Sequence, residues 1–166
     1  MEKKLGMGSY AAMRKIDYRL KELGITLPSP PVPVASYVPF VITGRLVFIS
    51  GQIPLGPEGP TFIGKLGADM SVEDGRAAAQ LCALNLLAQL KAACGGDLDK
   101  VRRCVRLGVF VNADAEFARH PEVANGASDL MLAVFGEAGK HARAAVGAPS
   151  LPRGVAVEVE GLFEIE

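Results

Sequence analysis

The chain has 166 residues, which suits one domain with a sizeable hydrophobic core. Hydrophobic residues make up 49% of it and charged residues 22%, a composition that excludes an intrinsically disordered protein. Because 18 basic residues balance 18 acidic ones, net charge gives no general support for binding nucleic acid. The apolar runs are too short or too polar to span a membrane, and no secretory signal is expected.

The N-terminal stretch predicts a helix followed by an extended connector. Apolar residues recur at spacings of three and four after Ser9, a capping residue, and Gly24 ends the pattern. The following TLPSPPVPVAS is rich in proline and cannot continue the helix. We therefore expect a helix and connector over residues 1–33, and a main domain over residues 34–166.

The segment YVPFVITGRLVFISGQIPL predicts two strands joined at Thr43–Arg45. The second of these strands is mostly apolar on both faces, unlike a hairpin with one face in water. We therefore expect something to cover each side of it, either a layer of helices or another subunit.

Two long helices are expected in the second half of the chain. Ser71 begins a capping-box pattern at the start of the first helix. Gly95 and Gly96 are expected to end this helix after its apolar run. The second helix is predicted from near Pro121 to Phe135.

Three further strands are expected around these helices. VRRCVRLGVFV alternates, which predicts a half-buried strand with Cys104 on the face opposite Leu107. Two more strands are predicted at 142–146 and 155–165. This order favours a mixed sheet with both long helices on one face.

The last predicted strand has an apolar face and an acidic face. Its valines, Phe163 and Ile165 point towards the helices, while Glu158, Glu160 and Glu164 point the other way. Solvated glutamates are the simple interpretation. The other strands lack such a polar face, however, so the outer face mixes acids with apolar residues, which favours a contact between subunits.

Arg143 can be interpreted in two ways. As a surface arginine it would sit in water or pair with one of the glutamates. Its small alanine neighbours also leave room for the guanidinium to bind a planar carboxylate through two parallel hydrogen bonds. The pattern alone favours the first interpretation.

Other reactive residues give weaker signals. His120 and His141 are possible general bases, but their positions at a helix start and in a turn favour exposed loop histidines. The three cysteines are odd in number and form no CxxC pair, so we expect free thiols in a reducing cytoplasm and no zinc site. Since nucleotide-binding and nucleophile-elbow motifs are missing too, we expect any chemistry to need no cofactor.

Four motifs together resemble one family. They are the SGQ of VFISGQIPL, VFV in VFVNADAEF, A-R-x-x-V, and L-P-x-x-V-x-V-E-V-E near the end. In this order they resemble the YjgF/RidA family of reactive intermediate deaminases, also described as endoribonuclease L-PSP. The resemblance runs from about residue 34 to the C-terminus, and implies a chorismate-mutase-like α+β fold assembled as a homotrimer with clefts between subunits.

The resemblance also implies site residues. Arg143 matches the arginine that holds the substrate carboxylate, and Glu158 matches the glutamate that positions a water. The backbone N–H of Ala145 assists, and Ser50 and Tyr37 match the serine and tyrosine of the cleft. Asn125 corresponds to a cleft asparagine, although its spacing to Arg143 is one residue longer than in the family.

The function implied is hydrolysis of enamine and imine intermediates, such as 2-aminoacrylate, to 2-keto acids and ammonia, without cofactor or metal. One alternative is a trimer that binds or senses small carboxylates without turnover. A ribonuclease or translation inhibitor is the third, and the balanced charge makes it the least favoured.

Overall fold

The computed structural model describes residues 14–166, which fold into three helices and seven strands. The helices are α1 (Lys15–Glu22), α2 (Val72–Ala93) and α3 (His120–Phe135). The strands are β1 (Phe40–Thr43), β2 (Leu46–Gln52), β3 (Leu55–Gly56), β4 (Gly59–Pro60), β5 (Val101–Asn112), β6 (Ala142–Ala148) and β7 (Val157–Ile165). No helix in residues 14–166 combines the length and hydrophobicity needed to cross a bilayer.

Five strands form one mixed sheet in the order β1-β2-β7-β5-β6. Only β5 and β6 pair in parallel, because α3 connects them as a crossover, and the other neighbours are antiparallel. Both α2 and α3 pack on the same face of this sheet. The core lies between the two layers, which confirms the predicted α+β arrangement.

The predicted turn and caps are confirmed. Gly44 has a φ of +58° between β1 and β2, a conformation that glycine adopts without strain. The Oγ atom of Ser71 accepts a hydrogen bond of 3.1 Å from the backbone N–H of Asp74 and so caps α2. The helix ends before Gly95, which also has a positive φ.

The predicted faces of β5 are wrong in its first half. Irregularities in the pairing with β7 fall between Val101 and Arg103 and between Cys104 and Arg106. Because each bulge shifts the alternation of side chains, Cys104 and Leu107 are both fully buried on the helix side. From Leu107 onward the strand alternates regularly.

The N-terminal helix is fixed by an acid from elsewhere in the chain. The predicted start at Ser9 lies outside the described residues, and α1 is described from Lys15. The carboxylate of Asp99 accepts the backbone N–H groups of Lys15 and Ile16, at 2.9 and 2.8 Å. Ile16 and Leu20 of this helix then join the core.

The proline connector is also anchored to the helix layer. The side-chain amide of Gln89, which is 2% exposed, donates a hydrogen bond of 2.6 Å to the carbonyl of Pro31. A buried amide bonded in this way fixes the path of the connector, since breaking the bond would leave a polar group unpaired.

Candidate functional site

Arg143 lies near the start of β6 and points to the helix side of the sheet. Its Nη1 atom donates to Asn125 Oδ1 at 2.8 Å and to Ser128 Oγ at 3.0 Å, and its Nη2 atom donates to the carbonyl of Pro121 at 3.5 Å. No Asp or Glu within residues 14–166 forms an ion pair with it. The half-buried guanidinium therefore contacts neutral oxygens only and keeps its charge uncompensated.

These contacts decide between the interpretations of Arg143 and add a residue to the site. The predicted ion pair with a glutamate is wrong, because all three glutamates lie on β7, which β5 separates from β6. Asn125, whose spacing along the chain is one residue longer than expected, contacts the guanidinium directly. The helix α3 thus brings two polar residues, Asn125 and Ser128, to the arginine.

His141 is not an exposed loop residue. It is half-buried, and its two ring nitrogens lie 2.8 Å from Ser128 Oγ and 2.6 Å from the carbonyl oxygen of Gly139. A second histidine, His120, is also partly buried and packs edge-on against Phe117. His141 therefore belongs to the same polar network as Arg143.

The backbone amide of Ala145 points to the free edge of the sheet. Strand β6 is an edge strand within residues 14–166, with β5 as its single neighbour. The carbonyl of Ala148 accepts from Ala113, which follows β5, so residue 148 directs its backbone towards β5. Since these directions alternate along a strand, the amide of Ala145 is directed outwards and is available to a ligand.

Glu158 lies in a pocket on the other side of the molecule. This cavity of about 200 Å³ is bounded by the connector residues 31–34 and by Tyr37, Gly51, Arg153 and Glu158. The hydroxyl of Ser50 donates to the carbonyl of Val38 at 2.7 Å, which fixes the segment that carries Tyr37. The structure thus brings together Glu158, Tyr37 and the strand that contains Ser50.

The environment of Glu158 disfavours its charged form. Burial raises the pKa of its carboxyl above the ordinary value of 4.5, and the nearby Glu160 raises it further. Glu160 is itself paired with Arg106 at 3.3 Å on the exposed face. A carboxyl that holds its proton more readily suits proton exchange with a bound water or ligand.

The raised pKa of Glu158 has a consequence for stability. The unfolded chain ionises this carboxyl near pH 4.5, before the folded chain does, so ionisation increasingly favours unfolding as the pH rises to the raised pKa. Glu158→Gln removes this effect. We expect it to raise the melting temperature more at pH 7 than at pH 4, and calorimetric scans of both proteins test this. An equal difference at both pH values would contradict it.

Gly51 makes room for the carboxylate of Glu158. A Cβ atom at this position would lie 2.1 Å from Glu158 Oε1, too close for any contact. Because the conflict is with the end of a flexible side chain, Gly51→Ala should displace the carboxylate while the melting temperature changes little. We expect hydrolysis of 2-aminoacrylate, the reaction that the sequence resemblance implies, to fall at least about tenfold, as for loss of a positioned acid or base. Gly56→Ala is the control, because a Cβ atom there would make only ordinary contacts of 3.5 Å or more, with Thr61 and Gly59.

Arg143 and Glu158 lie on opposite faces of the sheet. Arg143 is in register with Leu107 of β5, and Glu158 is in register with Phe110 of the same strand. Positions 107 and 110 are three positions apart in a regular stretch of β5, an odd offset, so their side chains point to opposite sides. One chain therefore does not bring these two residues into a common site.

The outer face of the sheet carries several exposed apolar side chains among its charged ones. Val41 and Phe48 lie opposite each other on β1 and β2 and are 52% and 46% exposed. Val146 of β6 is 48% exposed at the other end of the sheet. Large exposed apolar side chains spread over one face are typical of a surface that another protein covers.

The thiols and the metal-binding residue types add no site. Cys82, Cys94 and Cys104 are buried and free, and burial raises the pKa of each, that of Cys104 to about 12. Such thiols are poor nucleophiles because the thiolate is scarce. Within the described part of the chain, no three His, Cys, Asp or Glu side chains cluster as metal ligands.

Comparison with known proteins identifies the family. A family model described as "YjgF/chorismate mutase-like, putative endoribonuclease" matches residues 17–163. The chain belongs to this YjgF family. The resemblance found from the sequence motifs is therefore confirmed.

Similar proteins and solved structures match over nearly the whole chain. Protein TCP17 of Trypanosoma cruzi is 48% identical over 158 residues, which are 95% of this chain and 98% of that protein. The crystal structure of Atu1372 from Agrobacterium tumefaciens, a protein of unknown function, is 48% identical, covers 91% of this chain and 94% of that one, and has a TM-score of 0.84. A candidate endoribonuclease from Shewanella oneidensis MR-1 is 37% identical, covers 90% and 99%, and has a TM-score of 0.87.

Several residues near these sites are not among those that the YjgF resemblance indicates. Ser128 contacts Arg143 but carries no motif of its own. Arg153 lines the Glu158 pocket with a left-handed φ of +58°, which is unusual for a residue other than glycine. The turn signal L-P-R-G was visible, but the direction of the arginine follows only from the fold.

Proposed function

We propose that this chain is an enamine/imine deaminase that converts 2-aminoacrylate-like intermediates to 2-keto acids and ammonia. The uncompensated charge of Arg143 carries the proposal. A half-buried guanidinium held by neutral oxygens attracts a carboxylate more strongly than one already paired with an acid, because the charge is not neutralised. The substrates of such a deaminase all carry a carboxylate.

The remaining residues supply the rest of the cleft. The outward amide of Ala145 donates to the bound molecule, and Tyr37 and Ser50 shape the opposite wall. The enamine takes up a proton on carbon to become an imine, a water adds to the C=N carbon, and ammonia leaves as the 2-keto acid forms. Glu158 accepts a proton from the water and returns it to the nitrogen.

We propose that the cleft forms between copies of this chain in a homotrimer. Arg143 and Glu158 face opposite sides of one sheet, so they can act on the same substrate only if different copies supply them. The exposed apolar residues of the outer face, Val41, Phe48 and Val146, supply a surface for such packing.

Phe48→Glu should dissociate the proposed trimer. It places a charge in the middle of the apolar face, and burying an unpaired charge costs several kcal/mol. We expect the mass measured by light scattering to fall from three copies to one, and deaminase activity to fall with it. Leu132→Glu, which adds a charge to an exposed apolar position on α3, should leave the mass unchanged. A trimer that survives Phe48→Glu would rule out this packing.

The activity itself is tested by generating 2-aminoacrylate with a serine dehydratase and following the formation of pyruvate. We expect the purified protein to shorten the lifetime of the intermediate in proportion to its concentration. A rate equal to the uncatalysed one, together with calorimetric binding of 2-oxobutanoate that depends on Arg143, would favour the non-catalytic carboxylate sensor. The ribonuclease alternative has the least support, because basic and acidic residues balance at 18 each.

A further inference from the structure

The hydrogen bonds of Arg143 leave one particular edge of its guanidinium for a ligand. A guanidinium carries five N–H donors, one on Nε and two on each Nη. Both hydrogens of Nη1 are used, by Asn125 Oδ1 and Ser128 Oγ. One hydrogen of Nη2 is directed to the carbonyl of Pro121. Within residues 14–166 the Nε–H and one hydrogen of Nη2 have no acceptor, and Nε and Nη2 together form one side edge of the group.

The direction of the bonds behind Nη1 is fixed by His141. The carbonyl of Gly139 can only accept, so the Nδ1 atom of His141, 2.6 Å away, carries the hydrogen of the neutral ring. The Nε2 atom is then an acceptor, and the hydroxyl of Ser128, 2.8 Å away, donates to it. The lone pairs of the Ser128 oxygen consequently remain available to accept from Arg143 Nη1.

We propose that Ser128 and His141 are positioning residues that present the Nε/Nη2 edge of Arg143 to the substrate carboxylate. This inference rests on the proposed function, since it assumes that Arg143 binds a carboxylate. The relay runs from Gly139 through His141 and Ser128 to Nη1, and with the imidazole neutral each bond in it has one direction. It turns a flexible arginine into a fixed fork, which binds a planar carboxylate with less loss of side-chain entropy.

Binding of 2-oxobutanoate, measured by calorimetry, tests the relay in four variants. Ser128→Ala removes the acceptor of Nη1, and His141→Phe removes the acceptor that orients the hydroxyl. His141→Gln retains an amide oxygen that can reach the position of Nε2. We expect the first two to weaken binding about tenfold, the effect of losing one hydrogen bond to a charged group, and His141→Gln to bind nearly as wild type. Asp129→Ala, which removes an exposed ion pair one residue further along α3, should leave binding unchanged.

A spectroscopic measurement separates positioning from general loss of structure. The Nε–H resonance of Arg143, assigned by its absence in Arg143→Ala, should shift when 2-oxobutanoate is added to the wild type. In Ser128→Ala and His141→Phe the shift should be smaller at saturation, while the backbone amide spectrum stays folded. If Ser128→Ala does not fold, the comparison of His141→Phe with His141→Gln decides the question.

The outcomes distinguish this inference from the proposed function. If Arg143→Ala abolishes binding while Ser128→Ala and His141→Phe bind as wild type, the positioning role is overturned and carboxylate binding by Arg143 stands. If Arg143→Ala binds 2-oxobutanoate as tightly as wild type, the proposed function is wrong, and the positioning role of Ser128 and His141 is wrong with it. Equal weakening in His141→Gln and His141→Phe would also overturn the relay, because the retained acceptor would then have no effect.

Discussion

Replacing Arg143 with alanine should lower kcat/KM for 2-aminoacrylate by about 100- to 1,000-fold, the range for truncating one partner of a buried charge pair. The reason is that the guanidinium is held by neutral oxygens, so its whole charge is available to the substrate carboxylate. The measurement is the rate of pyruvate formation at several concentrations of the intermediate. Binding of 2-oxobutanoate should be lost in the same variant.

Arg76→Ala is the matched control for this prediction. Arg76 forms a surface ion pair with Asp129 at 3.2 Å on the helix layer, and surface pairs contribute little to stability. We expect its activity to equal that of the wild type. Full activity in Arg143→Ala, with the fold intact by circular dichroism, would exclude Arg143 from the site and the proposed cleft with it.

Glu158→Gln should separate binding from chemistry. The amide keeps the size of the side chain and its place against Gly51, but it cannot exchange a proton with water. We expect kcat to fall about 100-fold, at the lower end of the range for loss of general acid–base catalysis, while the affinity for 2-oxobutanoate changes little. Single-turnover rates and calorimetry on the same preparation measure the two effects.

Glu164→Gln is the control for Glu158→Gln, since it makes the same change on the same face of β7. Its side chain lies six residues along the strand and outside the Glu158 pocket. We expect no change in kcat. A loss of affinity equal to the loss of kcat in Glu158→Gln would instead assign the carboxyl a binding role.

The sequence predicted helix caps and turns correctly, because a few neighbouring residues determine each of them. The caps at Ser71 and Gly95 and the turn at Gly44 are local, so short-range rules place them correctly. The faces of β5 were predicted wrongly because a bulge depends on the pairing of two strands that lie far apart in the chain. No pattern within VRRCVRLGVFV marks where the extra residue falls.

The candidate site was predictable in its residue types but not in its contacts. Arg143 and Glu158 stand out by motif, yet their opposite orientations follow only from the register of β6 and β7 against β5. The part played by Ser128 depends on the crossover that lays α3 beside β6. His141 was predicted to be an exposed turn residue, because the sequence does not show that its ring contacts Ser128 and the carbonyl of Gly139. The contact with Ser128 forms only when α3 packs beside β6.

The placement of Arg143 and Glu158 on opposite faces of one sheet has a genetic consequence. In the proposed assembly each cleft takes its arginine from one copy and its glutamate from another. A copy with a mutated Arg143 still supplies Glu158 to a neighbouring cleft, and a copy with a mutated Glu158 still supplies Arg143. Two damaged alleles expressed together could therefore complement each other within mixed assemblies, whereas either one alone would be inactive.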